Sequence, residues 1–361
     1  MLHFVFFFRN VYLEKKEKKK NRCVLFWRVA HLKRKKEEKK MCIFKAIASG
    51  NLEKVKCIAE ENPESMHIHA LFKWTPLDVA IVSEKLEIAQ FLFEKGGKPN
   101  LEVYCDGFLT PVHWVAQDGC TKVLMWALEK GILPLSVLNI KDENERTPLD
   151  RAITCGNLGM VQFLWEKGGR PNLEIYCDRK DTPMRMATYG GYTDTLEWVF
   201  TEGVLSLDML NIKDRDRWTS LDIAIAYGKN LETAKCLWEM GGRPNLEIYH
   251  NGIFTPIHHV ILSKHTVIFL KWVFAEKVLP LSVLNAKECG LSPLDFAIIK
   301  KQWETAALLR RLLHNLDSVI LAMQRTKRDR QSTLLRRLPD ELLDMVVDEV
   351  ATRSYLVVKW Q

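Results

Sequence analysis

The sequence predicts an all-α solenoid, and three observations predict it. The first is a short element, "TPLD", at Thr75 to Asp78 and again at Thr147 to Asp150. Variants start at Thr110, Thr182, Thr219, Thr255 and Ser292, in steps of 35, 37, 35, 37, 36 and 37 residues. The second is "EKGGRPNLEIYCD", Glu166 to Asp178, which returns as "EKGGKPNLEVYCD" from Glu94 and "EMGGRPNLEIYHN" from Glu239, 72 and 73 residues apart. The third is a pair of short apolar runs with helical spacing between successive landmarks. Self-similarity at this period marks a stack in which each unit buries its apolar face on its neighbours.

Each unit reads in the same order. Thr or Ser caps a helix, and Pro takes the first helical position, where its missing N–H costs nothing. A short apolar helix follows, such as "LDVAIVS" or "LDRAITC". A break with Gly and Asn comes next, and then a second helix, whose residues Met160, Val161, Phe163, Leu164 and Trp165 form a broad apolar stripe. The glycine pair ends this helix, Pro stops it and Asn opens the turn beyond. No Lys-Ser/Thr follows the glycines, so the stretch is not a phosphate-cradling P-loop.

The 72-residue recurrence reflects two alternating kinds of unit. One ends in "GGxPN", with ten residues from Asn100 to Thr110 and from Asn172 to Thr182. The other ends in "WALEKGILPLSVLN", "WVFTEGVLSLDMLN" or "WVFAEKVLPLSVLN", with eight residues from Asn139 to Thr147. The first kind has the longer finger turn and the second the longer shoulder. One added residue around Lys229-Asn230 gives the 73-residue step.

These residues resemble the ankyrin repeat family, whose pattern runs G-x-T-P-L-H-x-A-A, then G-H/N-x-E-V-V-x-x-L-L, then G-A-D-x-N. "TPLDVAI", "KLEIAQFLFEKGGKPN" and "GNLEKVKCIAEENPE" fit it. The resemblance covers residues 41–315 with about eight units. The first, Cys42 to about Asn62, lacks Thr-Pro as a capping repeat does. It implies an all-α ankyrin solenoid of helix-turn-helix units with finger turns. It also implies structural roles for His113 and His258, and for Asp78, Asp150, Asp222, Asp295 and Arg185, which replace that His elsewhere.

Charge separates the leader from the body. Residues 1–40 hold 14 Lys and Arg against 4 acids, whereas the rest holds 39 against 41, so the basicity is not a nucleic-acid footprint on the folded part. "LHFVFFF" is seven residues long, far short of the ~20 a bilayer span needs. Its basic run follows the apolar one, the reverse of a secretory signal. The leader is expected to be disordered or mistranslated upstream sequence, with Met41 the start. A membrane-surface anchor is the alternative, given the aromatic and basic residues interleaved from Val24 to Lys40. Nine cysteines without a C-x-x-C pair read as reduced intracellular thiols.

No catalytic motif is present, and neither a cofactor nor a metal is expected. Cys105, Cys177 and His250 hold equivalent places in three tandem pairs. Helices pack at ~8–10 Å, so positions two units apart lie ~16–20 Å apart, and three such fingers cannot share one zinc. The partner-binding candidates are Trp74 and Trp218, which directly precede the Thr of a first helix. In the family this place commonly faces the ligand groove, and aromatic anchors dominate interface energies. The finger residues Tyr104, Asp106, Tyr176, Asp178, Arg179 and Lys180 are the next candidates.

Beyond residue 315 the expected organisation is a helix and basic linker over 316–337, then a short helix over 338–361. "LRRLPDELLDMVVDEV" carries an apolar stripe at Leu342, Leu343, Val346 and Val347. It is similar to the opening of an F-box, L-P-x-E-L-L-x-x-I, matched by Leu338, Pro339, Glu341, Leu342, Leu343 and Val346. Three functional readings follow. One is a non-catalytic, monomeric, cytoplasmic scaffold binding a protein partner in the groove of fingers and first helices, with the nucleus open as a second compartment. The next is a substrate adaptor recruiting a Skp-type linker and cullin through Leu338, Pro339, Leu342, Leu343 and Val346, against which stands a plain helix capping the last repeat. The third is a membrane-tethered scaffold, if the leader is retained.

Overall fold

The computed structural model describes residues 41–70, 73–101, 110–176, 182–214, 216–227, 231–251, 255–261, 263, 266–287 and 290–314. Every regular element among them is a helix. The chain divides into two compact units after Ile175.

The first unit holds α1 (Met41–Ser49), α2 (Leu52–Glu61), α3 (Pro76–Val82), α4 (Leu86–Glu94), α5 (Pro111–Asp118), α6 (Lys122–Glu129), α7 (Pro148–Cys155) and α8 (Leu158–Glu166). Helices pair in sequence, as α1 with α2, α3 with α4 and α7 with α8. First helices also stack on first helices, α1 on α3, α3 on α5 and α5 on α7, while α2, α4 and α6 stack alongside.

The second unit holds α9 (Pro183–Gly190), α10 (Thr193–Thr201), α11 (Ser220–Tyr227), α12 (Leu231–Glu239), α13 (Leu246–Asn251), α14 (Pro256–Ile261), α15 (Thr266–Ala275) and α16 (Pro293–Ile299), followed by a helix over 303–314. Here α9, α11, α14 and α16 form the continuous row of first helices. The fold is the all-α solenoid that the repeats predict.

These helices are too short to stand alone and hold through tertiary burial. Leu77, Leu149 and Leu221 on first helices, and Leu92, Leu164 and Leu237 on second helices, are fully buried. Among the described residues, no helix is long and apolar enough to cross a membrane.

The glycine pair is structural on both counts. Gly96, Gly168 and Gly241 adopt φ of +90°, +93° and +98°, the left-handed region where glycine is free of strain. Gly97, Gly169 and Gly242 have a different reason. A Cβ on them would meet the carbonyl oxygen of Leu92, Leu164 or Leu237 at 2.7–2.8 Å. Their N–H groups donate to those same carbonyls, closing the helix.

Candidate functional site

The finger bases and first helices are built by a hydrogen-bond clasp that repeats three times. Thr147 Oγ1 accepts from Asp150 N, and Asp150 Oδ2 accepts from both the N–H and the hydroxyl of Thr147, each at 2.9 Å. The same oxygen accepts Asn172 N at 3.0 Å, so the TPLD aspartate holds the Asn of the following GGxPN turn. Asn172 Nδ2 in turn donates to the carbonyl of Glu145 at 2.7 Å. Asp78 with Asn100 and Lys73, and Asp222 with Asn245 and Arg217, repeat every one of these bonds. The residue whose carbonyl accepts this bond is in each case a left-handed non-glycine residue, Lys73 at φ 57°, Glu145 at 60° and Arg217 at 65°, two places before its Thr. That strain persists because the Asn side chain fixes the peptide.

The alternate units use histidine there and point it elsewhere. His113 Nε2 lies 2.9 Å from the carbonyl of Arg146, and His258 Nε2 lies 3.1 Å from that of Leu291. A carbonyl only accepts, so each Nε2 carries the proton and donates. The Nδ1 atoms then accept from the hydroxyls of Thr110, at 2.7 Å, and Thr255. Burial pushes His258 down to about 4, so its ring is neutral at pH 7. Burial also lowers His113, against an opposing pull from Asp142. Aspartate therefore ties its repeat to its own shoulder, and histidine reaches forward to the next finger.

Arg185, the odd member of the series, does neither. Its guanidinium pairs with Asp214, whose other oxygen accepts the N–H groups of Asp216 and Trp218 and so folds the finger. Asp142 folds the equivalent finger in the first unit by accepting from Asn144 N and Arg146 N. It takes its guanidinium from Arg151, at 2.5 Å. One arginine thus serves each finger aspartate, from the helix before it in one case and from the helix after it in the other.

Trp74 and Trp218 are 3% and 7% exposed. The expectation that they stand out as surface anchors is corrected on that ground, because a ring with almost no accessible area offers no face to a partner. Their carbonyls close the fingers, accepting Ala70 N at 2.8 Å and Asp214 N at 3.0 Å. Of the other candidates, Tyr104, Asp106, Asp178, Arg179 and Lys180, the side chain of Tyr176, and Leu338, Pro339, Leu342, Leu343 and Val346 lie outside the described residues.

A surface feature that sequence reasoning missed sits around Trp218. Tyr189 at the end of α9 and Tyr227 at the end of α11 meet edge to face at 4.6 Å between centroids. His259 on α14 lies 6.0 Å from Tyr227 and 5.8 Å from Trp218, and Trp218 lies 6.2 Å from Tyr227. Three successive first helices thus contribute one aromatic cluster. Tyr189, Tyr227 and His259 are half-buried, so each keeps some accessible area. Burial raises Tyr227 and lowers His259, which leaves both neutral at pH 7. The three rings stand at different offsets from their Thr, so no period in the sequence marks them. Among the described residues, no group of three or more His, Cys, Asp or Glu is placed to hold a metal.

Comparison with known proteins agrees with this geometry. The family described as "Ankyrin repeats (many copies)" matches residues 112–164, which hold most of α5, all of α6 and α7, most of α8, and His113 with Arg146. The chain carries ankyrin repeats. It is 25% identical over 206 residues to the human "Transient receptor potential cation channel subfamily A member 1", a match covering 55% of this chain and 17% of that protein. It is 32% identical over 105 residues to "NF-kappa-B inhibitor alpha" of Sus scrofa, covering 28% and 33%. It is 28% identical over 91 residues to "Probable 26S proteasome regulatory subunit p28" of Saccharomyces cerevisiae, covering 25% and 38%. The ankyrin array therefore spans well under half the length of each of these relatives.

Proposed function

We propose that the array is a non-catalytic scaffold that binds a protein partner across the first helices and finger bases of its second unit. The observation that carries this reading is the cluster of Tyr189, Tyr227 and His259 over buried Trp218. Neutral, half-exposed aromatic rings on a rigid support lose little entropy on binding and are the side chains that dominate interface energies. Stacked repeats also preorganise the surface. Two relatives carry names of this kind, an inhibitor of NF-kappa-B and a probable regulatory subunit of the proteasome, which supports the reading. The test is capture with the full chain beside Tyr189→Ser/Tyr227→Ser, with thermal melts of both. Loss of the captured protein at an unchanged melting temperature supports the assignment. Equal capture by both overturns it.

The match of Leu338 to Val346 with L-P-x-E-L-L-x-x-I supports a second reading, recruitment of a Skp-type linker and cullin. Capture of those proteins by the full chain, and its loss in Leu342→Asp/Leu343→Asp, is the expected outcome on that reading.

A further inference from the structure

Among the described residues, the last repeat is open on one side. In the inner repeats of the same kind, Leu77, Leu149, Leu221, Ile81, Ile153 and Ile225 are all at most 1% exposed. Their equivalents on α16, Leu294 and Ile298, are only half-buried. The next positions go further, with Ile299 at 58% and Trp303 at 65% exposure, where the equivalent Thr154 and Leu158 of the first unit are half-buried. Among the described residues, no helix pair therefore lies over the apolar positions that each inner repeat hides under its successor. A terminal repeat in a solenoid needs a cover that is polar on its outer side. The rim of this face is basic. Lys300 and Lys301, in the turn between Ile299 and Trp303, are exposed, as are Arg310 and Arg311, against one acid, Glu304.

We propose that residues 338–350 of this chain cover the end face formed by Leu294, Ile298, Ile299 and Trp303. The segment "LPDELLDMVVDEV" contains five acids and no basic residue. At helical spacing Leu342, Leu343, Val346, Val347 and Val350 share one side, and the acids take the other. It therefore presents an apolar stripe to an apolar face and negative charge to a basic rim. It is tethered directly: residues 315–337 follow the helix over 303–314 in sequence, and 23 residues can span far more than one repeat at up to ~3.3 Å each. A segment held this way is not free to recruit an outside linker, so the inference competes with the adaptor reading.

Amide hydrogen exchange on the full chain tests it. Leu342→Asp/Leu343→Asp should accelerate exchange across 293–303 about tenfold or more, while residues 75–100 stay unchanged. Charge reversal separates docking from a general loss of folding. Lys300→Glu/Lys301→Glu should expose the same peptide, and adding Asp344→Lys/Asp348→Lys should restore its protection. Unchanged exchange in Leu342→Asp/Leu343→Asp overturns the proposal, as does failure of the charge swap to restore protection. Protection of 293–303 that rises with protein concentration also overturns it, because a second copy is then the cover.

Discussion

The carboxylate of Asp150 and the backbone N–H of Asn172 are 3.0 Å apart across 22 residues of sequence. Asp150 is fully buried, and its Oδ2 is the acceptor for three donors. Removing it orphans donors on two segments at once. Asp150→Ala is expected to lower the unfolding free energy by about 2–4 kcal/mol, read as a fall in urea midpoint. Among the described residues, Asp295 makes the Ser292 bonds alone, in a half-buried site, so Asp295→Ala should cost about 1 kcal/mol. Equal losses at the two sites would show that the long-range bond to Asn172 adds nothing.

The two glycines of each pair should fail for different reasons. Gly168→Ala forces a side chain into φ +93° and should cost about 1 kcal/mol. Gly169→Ala drives a Cβ to 2.8 Å from the Leu164 carbonyl, which is backbone and cannot step aside, so its cost should be larger. Gly159, within α8 and with nothing inside 4 Å of a Cβ, is the control. Gly159→Ala should stabilise by about 0.5–1 kcal/mol. Thermal melts of the three variants check the order.

The features legible in the sequence were those written in local, repeated chemistry. Thr75, Thr147 and Ser292 cap helices with Pro at the first position and a reciprocal bond from the Asp three residues on, all within four consecutive residues. The glycine pairs were legible for the same reason. Trp74 and Trp218 were misplaced because sequence position shows that a residue sits at a finger base but not which way its ring turns. Tyr189, Tyr227 and His259 stand at three different offsets in three repeats, so only the stacking of α9, α11 and α14 brings them together. The service of Asp142 by Arg151 and of Asp214 by Arg185 was hidden similarly, since the arginine changes helix between one tandem pair and the next.

Acid should loosen the second unit through His258. Its folded value lies at about 4, below the ordinary 6.5, so the unfolded chain takes up the proton first as pH falls. Stability from this group is therefore complete above 6.5 and is lost progressively toward about 4. The urea midpoint should fall across that window. In His258→Gln, which has no proton to take up at this site, the fall should be shallower. A parallel pH dependence in both proteins would place the acid sensitivity elsewhere.

The arginine exchange yields the sharpest test of how the fingers are held. Asp142 has a fully buried side chain, and Arg151 is its guanidinium partner. Arg151→Ile copies Ile223, the residue at that place in the second unit, and leaves the carboxylate without its counter-charge. The expected loss is about 3–5 kcal/mol. The second unit supplies its guanidinium from Arg185, the position that His113 occupies in the first. Adding His113→Arg to Arg151→Ile should therefore recover more than half of the loss, although it gives up the His113 bond to the Arg146 carbonyl. His113→Arg alone, which sets a second guanidinium beside the first, should destabilise. That reversal of sign between the two backgrounds is a coupling energy that a double-mutant cycle measures directly. Additive losses would mean that the two fingers, alike in sequence, are held by different interactions.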